Sequence, residues 1–400
     1  MGGNNEKNTV IDPGSALVLF ASVSCATKAP EAVAVQEVKF VSGVSEIQKY
    51  GNLVLTLSAD ELKEAGFEYG DVVAFYLDGQ LITAPFCTNY SDVEVGKLVL
   101  RDAEGTLILA INMGDFATYY GIAVKEKYAD GTYAWIFPEG KSLEDVSMTL
   151  LMHKKAGYRD EYLIHQLART NERADYASDE IFANFREVKG GELGTGALYR
   201  SSSPVNNEIA RAAYADKFAS ACGVKAVMNL ADNDDMIRSY IAAEDFASPY
   251  YRSLFENGGV KALNLGVDFR ADEFKAGIAE GLRFLASNPG PYLVHCNEGK
   301  DRAGFTSALL GALMGASYDE LVKDYMETYI NYYHVEEGSD QYNAVKASNI
   351  DTILQTIAGV GKDADLTAID LKAAAEAYVK SIGLSDAELS ALRANLSKNY

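Results

Sequence analysis

At 400 residues the chain exceeds the roughly 250 to 300 at which a single hydrophobic core stops growing, so two domains are expected, and 48% hydrophobic residues suffice to bury both. A formal net charge of −21 excludes the basic stripe that nucleic acid requires, so no nucleic-acid partner is expected; any anionic ligand must be held by a local concentration of positive charge. Cys25, Cys87, Cys222 and Cys296 are too scattered for a disulfide framework or a zinc pair, so neither metal nor cofactor is expected.

In chain order, residues 15–24 (SALVLFASVS) form a short apolar run ending at Cys25, the pattern of a lipoprotein-type signal with Cys25 acylated. Glu6 and Asp12 before it, Lys7 as the sole preceding base and Ser22 within it fit that pattern poorly. An exported, membrane-anchored chain and a cytoplasmic one therefore both stand, with residues 1–37 read as leader and tether. Residues 38–151 carry short β-branched and aromatic runs, VKFV, NLVLTL, DVVAFYL, KLVLR, GTLILAI and TYAWIF, punctuated by Asp78-Gly79, Glu104-Gly105 and Asp130-Gly131. That texture predicts a smaller, mainly β domain. Within it, Tyr50-Gly51-Asn52-Leu53 and residues 96–121 (GKLVLRDAEGTLILAINMGDFATYYG) resemble the C-terminal β domain of the S-adenosylmethionine hydroxide adenosyltransferase family. Nothing else in the chain matches that family's catalytic half, so its activity is not carried over. The region is expected to be an accessory module that binds a partner or oligomerises, with Asn89, Tyr90 and Asp92 as an alternative ligand surface.

Residues 152–400 read as the second domain. A polar, helix-textured stretch to Arg186 precedes ALYRSSSP (197–204), a strand and a Ser/Pro turn. Apolar residues at helical spacing over 209–221, a buried-type strand at 224–230 ending in ADNDD, and a strand with an acidic loop over 261–274 lead to a helix at 275–286. Helices follow at 317–333, with an exposed acidic face and packed tyrosines, then at 350–357, 371–379 and 385–396, the last opened by the Ser385/Glu388 capping box. Strand–helix alternation followed by a helical run predicts an α/β sheet with a helical C-terminal cover.

The chemistry concentrates at 292–315. An apolar strand (Tyr292, Leu293, Val294) turns at His295 and Cys296, and a small-residue helix begins near Ala303. Between Cys296 and Arg302 lie Asn297, Glu298, Gly299, Lys300 and Asp301. A loop closing onto a helix N-terminus points backbone N–H groups into one concavity, and Arg302 adds a planar fork that grips two oxyanion oxygens. The same field lowers a thiol from about 8.5 to roughly 3.5–7.5, making Cys296 a nucleophile aimed at bound phosphorus. Gly299 and Gly304 suit positions where a Cβ would obstruct the turn or the ligand. His295 either helps set the thiolate or is a packed strand-end histidine.

This HCNEGKDRAG loop resembles that of bacterial members of the protein-tyrosine phosphatase superfamily, the tyrosine and dual-specificity phosphatases with HCxxGKDRxG. The resemblance implies a cysteine-phosphatase-type sheet flanked by helices, Cys296 as nucleophile, Arg302 as phosphate clamp and Asp301 as general acid. It also implies that Asn297, Glu298, Gly299, Lys300, Ala303 and Gly304 bind the phosphate. Superfamily members with a mobile acid loop place the acid about where Asp268 stands, which makes Asp268 the rival. Many relatives carry Ser or Thr after the arginine to assist breakdown of the intermediate; Ala303 departs from this, leaving Thr306 or Ser307 as substitutes. The implied activity is metal-independent hydrolysis, through a phosphocysteine, of a phosphorylated protein or small phosphomonoester. Two alternatives remain open: a phosphoinositide or inositol phosphate substrate, with Lys300 reaching a second phosphate, and a phospho-ligand binding protein with turnover lost at Ala303.

Overall fold

A computed structural model describes residues 39–400. The run ending at Cys25 and the tether lie outside the described residues. Strands β1 (Lys39–Ile47), β2 (Leu53–Ser58), β3 (Val72–Leu77), β4 (Gln80–Cys87), β5 (Leu98–Ala103) and β6 (Thr106–Ile111) come first. A small hairpin of β7 (Val124–Lys127) and β8 (Tyr133–Ile136) follows, then β9 (Ser147–Lys154). All but the hairpin close into a barrel, in the order β1-β2-β6-β5-β4-β3-β9. Its tight turns use the residues the sequence singled out: Asp78-Gly79 between β3 and β4 has φ of 48° and 80°, and Glu104-Gly105 between β5 and β6 has 55° and 91°. Glycine takes the left-handed second position at no steric cost. Alternate strand positions point inward, so Leu53, Leu55, Phe75, Phe86, Leu107, Leu109 and Leu150 share one core.

β9 pairs with both β1 and β3, so the strand that closes the barrel runs through the expected boundary at residues 151/152. Beyond it the helix-textured stretch to Arg186 is mostly irregular. It carries one helix, Arg159–His165, and two short helical turns, Arg173–Asp175 and Asp179–Phe182, with Arg169 and Tyr176 engaged in long-range contacts instead of an i, i+4 stripe. The Arg159–His165 helix meets the second half of the chain directly: Arg159 pairs with Asp340 at 3.2 Å, and Gln341 Nε2 donates to the Leu163 carbonyl at 2.9 Å.

The second sheet comprises β10 (Arg186–Glu187), β11 (Leu198–Ser201), β12 (Ala226–Asn229), β13 (Val260–Ala262) and β14 (Tyr292–His295), ordered β10-β11-β14-β12-β13. All neighbours run parallel except β10 with β11, and β14 lies at the centre. A central parallel strand is covered on both faces, which is why β14 is wholly buried. Tyr292 and Val294 pack with helices Asp272–Ser287 and Asp301–Leu313 on one side; Leu293 packs with Ala212–Ala221 and Pro249–Glu256 on the other. Helices Tyr318–Tyr333, Asp340–Val345, Thr352–Ala358, Leu371–Ser381 and Asp386–Leu396 complete the cover, and Ser385 and Glu388 form the expected reciprocal cap. The helix expected at 350–357 is present as Thr352–Ala358, entered through a π turn at Lys346–Asp351. Among the described residues no helix is long and apolar enough to cross a membrane.

Asp301–Leu313 explains its own composition. It is buried on every side from Ala303 onward, so small residues admit neighbours at close range. Phe305 is its one large ring, with centroids 5.0 Å from Phe269, 5.1 Å from Phe274 and 6.0 Å from Tyr378. Phe305→Ala therefore removes the anchor of the loop-bearing helix, and chemical denaturation should show a loss of about 3–5 kcal/mol.

Candidate active site

The loop after β14 leaves the sheet at its carboxyl edge, where parallel α/β sheets place ligand sites. Four consecutive carbonyls of this loop are tied outward. Asn297 O accepts from Ser203 N at 3.0 Å, and Glu298 O from Asn184 Nδ2 at 3.0 Å. Gly299 O and Lys300 O accept from Arg200 Nη2 at 2.7 and 3.1 Å. In a planar trans peptide the carbonyl and the next N–H point in opposite directions, so these anchors turn the N–H groups of residues 298–301 to the other side. No N–H of residues 297–303 finds an acceptor among the described residues. The arrangement is a nest of donors at the start of helix Asp301–Leu313, suited to an oxyanion.

Gly299 makes the turn possible. Its φ is +72°, and a Cβ there would lie 2.5 Å from the Ser201 carbonyl carbon and 2.8 Å from Ser202 N. Gly304 serves packing: a Cβ would meet the Tyr325 ring at 2.8 Å. Cys296 is buried at the loop's base. Its thiol, the Asp301 carboxyl and Arg200 all act on the Tyr325 hydroxyl, whose ionisation burial already opposes, so the loop's chemical groups share one locality. Arg302 donates Nη1 to Leu265 O at 2.8 Å, and its buried Nε has no partner. Near it is buried Asp232, held by Asn229 Nδ2 at 3.0 Å; burial pushes this carboxyl up, opposed by its hydrogen bonds from Asn229 and Tyr240 and then by the charge of Arg302.

The two candidate acids are placed differently. Asp301 is the first residue of the helix, its side chain 42% exposed, with Lys300 Nζ at 3.8 Å. Desolvation raises its carboxyl, and Lys300, Arg302 and Arg200 oppose that rise. Asp268 is exposed and accepts from Arg270 N at 3.0 Å within its own turn; among the described residues no hydrogen bond or ion pair joins it to the loop. The hydroxyls near Ala303 are buried: Thr306 Oγ1 donates to Arg302 O at 3.0 Å, and Ser307 Oγ has no partner. The His295 ring lies edge-on to Tyr251 at 5.7 Å and neither of its nitrogens is hydrogen-bonded, which is the packed arrangement.

Sequence reading noted Arg200 as the end of a strand, in an arginine-serine step like that of the family it resembles, but assigned it no role, and it did not single out Asn184 or Asp324. Arg200 is fully buried, and Asp324 takes its Nη1 at 2.6 Å while also accepting from Arg186 Nε at 3.2 Å. Asp324 was expected on an exposed acidic face, yet its side chain is only 13% exposed. Burial pushes its carboxyl up, but Arg200 and Arg186 together outweigh that and hold it below the usual range; burial, then Arg200, brings Arg186 down to about 10. The only sequence hint was an arginine ending a buried strand, in LYRS. Among the described residues no group of three or more His, Cys, Asp or Glu is arranged to hold a metal.

Residues 180–398, more than half of the chain, match the model of the tyrosine phosphatase family, and the chain belongs to that family. Residues 44–129, most of the barrel, match the C-terminal domain of SAM hydroxide adenosyltransferases. A solved structure, an uncharacterized conserved protein from Thermotoga maritima, is 20% identical over 28% of this chain, with a TM-score of 0.22. The matched part spans 35% of that protein. No curated protein matches the chain.

Two outcomes follow. Asp324→Asn leaves Arg186 and Arg200 buried without a counter-charge and should cost about 3–5 kcal/mol in denaturation experiments. Burial, reinforced by Arg302, lowers His295 from 6.5 to about 3, so the unfolded chain binds a proton in that interval which the folded chain refuses. This contribution to stability is complete above pH 6.5 and is lost as pH falls toward 3. The slope of stability against pH over that window should be shallower in His295→Gln by up to about 1.4 kcal/mol per pH unit.

Proposed function

We propose that the protein hydrolyses phosphomonoesters through a phosphocysteine intermediate, acting on phosphotyrosine or dual-specificity protein substrates. The observation that carries this reading is the ring of unsatisfied N–H donors over residues 297–303, with Cys296 at one end and Arg302 at the other. Such a nest holds three phosphoryl oxygens, and the donors and Arg302 gain most as charge spreads over those oxygens in the transition state.

In this reading Cys296 Sγ attacks phosphorus, the P–O bond to the leaving group breaks, and Asp301 gives its proton to the departing oxygen. Water then attacks the phosphocysteine, the S–P bond breaks with its electron pair returning to sulfur, and Asp301 takes the proton back. A carboxyl raised by desolvation stays protonated nearer neutrality, as a general acid must. Ala303 brings no hydroxyl to the second step, and Thr306 spends its own on Arg302 O. Breakdown of the intermediate is then the slower half.

A second substrate class has one observation in its favour. Lys300 Nζ lies 3.4 Å from Glu298 Oε2 and 3.8 Å from Asp301 Oδ2, a cation that a second phosphate of an inositol phosphate or phosphoinositide would engage. The barrel is an accessory module in either case, offering a partner or a second copy its surface. Comparing kcat/KM for a phosphotyrosine peptide and an inositol polyphosphate separates the classes.

Turnover of an aryl phosphate tests the chemistry. Cys296→Ser should abolish it, and retained Cys296-independent activity would sink the reading. Asp301→Asn should lower kcat by about 100- to 10,000-fold and flatten the basic limb of the pH–rate profile. Asp268→Asn should leave that limb in place; the reverse pattern assigns the acid to Asp268.

A further inference from the structure

The segment that joins the barrel to the catalytic sheet runs against the phosphate loop. It leaves helix Arg159–His165, and Arg169 on it reaches Glu298: Nε donates to Oε1 at 3.0 Å and Nη2 contacts the same oxygen. Both side chains are largely buried, 17% and 25% exposed. Arg169 Nη1 also donates to Asn171 Oδ1 at 2.6 Å, and Arg211 holds the segment from the start of a separate helix. Arg211, itself fully buried, donates to Thr170 O at 3.0 Å, to the Tyr176 hydroxyl at 2.8 Å and to Asn171 Oδ1 at 3.1 Å. Arg169 is thus placed by a scaffold outside the loop.

The other oxygen of Glu298 faces the reaction. Oε2 accepts from the Tyr333 hydroxyl at 3.3 Å and lies 3.4 Å from Lys300 Nζ, which is also 3.8 Å from Asp301. Lys300 is therefore shared between two carboxylates. How it divides itself depends on how much of the charge on Glu298 is already neutralised. An arginine forked onto Oε1 neutralises it at short range in a partly dry site, where such a pair acts far more strongly than in water.

We propose that Arg169 is a positioning residue of the phosphate site: by occupying Glu298 it leaves Lys300 shared with Asp301, and so sets the state in which Asp301 meets the leaving group. This rests on the reading of Asp301 as proton donor. The barrel-proximal segment thereby becomes part of the catalytic apparatus, although no residue of it lies in the 296–302 loop. The groups facing Asp301 are Lys300, Glu298, Arg302 and Arg200, with the Tyr325 and Tyr329 hydroxyls from the neighbouring helix.

Without Arg169, the carboxylate of Glu298 is uncompensated and draws Lys300 from Asp301. Both effects favour protonated Asp301, so the basic limb should move to higher pH. Without the charge on Glu298, Lys300 turns to Asp301 and the limb should move to lower pH. The test is the pH dependence of kcat/KM on an aryl phosphate for wild type, Arg169→Gln, Arg169→Lys, Glu298→Gln and Arg169→Gln/Glu298→Gln, beside Asp301→Asn. Arg169→Gln is expected to shift the limb up by about half a pH unit or more, Glu298→Gln to shift it down, and the double variant to follow Glu298→Gln, because Arg169 acts through the charge on Glu298. Arg169→Lys should restore most of the wild-type profile. A limb unmoved in Arg169→Gln, or moved the same way in both single variants, overturns the proposal while Asp301→Asn still flattens the limb. If Asp301→Asn leaves the limb intact, the assignment of the acid has failed instead. Should Arg169→Gln not fold, Glu298→Gln decides: a downward shift supports the proposal and no shift overturns it.

Discussion

Everything at the site depends on where four carbonyl groups point. A peptide plane cannot aim its C=O and the following N–H at the same target, so a loop meant to offer a run of N–H donors must find acceptor-hungry partners for its carbonyls on the opposite side. Here those partners are Ser203 N, Asn184 Nδ2 and, twice, Arg200 Nη2. Burying Arg200 completely is expensive, and Asp324 offsets the cost with a 2.6 Å contact. A cation used in this way supports the loop from the side of its carbonyls and leaves the side of its N–H groups free.

The same constraint reaches into the sequence around it. Gly299 is required because the loop must press against the Ser201–Ser202 backbone while turning left-handed. Gly304 and its small neighbours let the Tyr318–Tyr333 helix approach closely enough to bring Asp324 under Arg200. Tyr325, Tyr329 and Tyr333 stack along that helix at 5.8 and 5.5 Å, forming a wall beside Lys300 and Asp301. Asn184 adopts φ of +49°, a conformation asparagine tolerates better than most residues, and from there its amide spans Glu298 O and Thr328 Oγ1.

The barrel enters this account through one segment. Its last strand leads into a helix docked on Asp340 and Gln341, and the chain then delivers Arg169 to Glu298. The charges along this wall alternate, Arg169, Glu298, Lys300, Asp301, Arg302, so a change at one end alters how the next pair is shared. An acidic protein can hold an anion only through such local order, since its long-range field is unfavourable.

The α/β class, the relation to the tyrosine phosphatase family and the strand–loop–helix around Cys296 were legible in the sequence because they are local. An apolar run of four, two glycines, a Cys–Arg spacing and a small-residue helix state their structure without reference to distant partners. The Asp-Gly and Glu-Gly turns were legible for the same reason. What lay beyond the sequence was every long-range pairing. Barrel closure needs β9 to meet both β1 and β3, and it carried that strand past the expected boundary. The stretch up to Arg186 looked helical by composition but is organised by tertiary contacts of Arg169 with Glu298 and of Tyr176 with Arg211. Asp324 looked like a solvated helix carboxylate, and only the approach of two arginines from strands far away in sequence made it the counter-ion of Arg186 and of Arg200, which anchors the loop. Local patterns determine which elements form; the partners of a charge are decided by the packing, because a side chain's periodic position says which way it points and nothing about what it will meet.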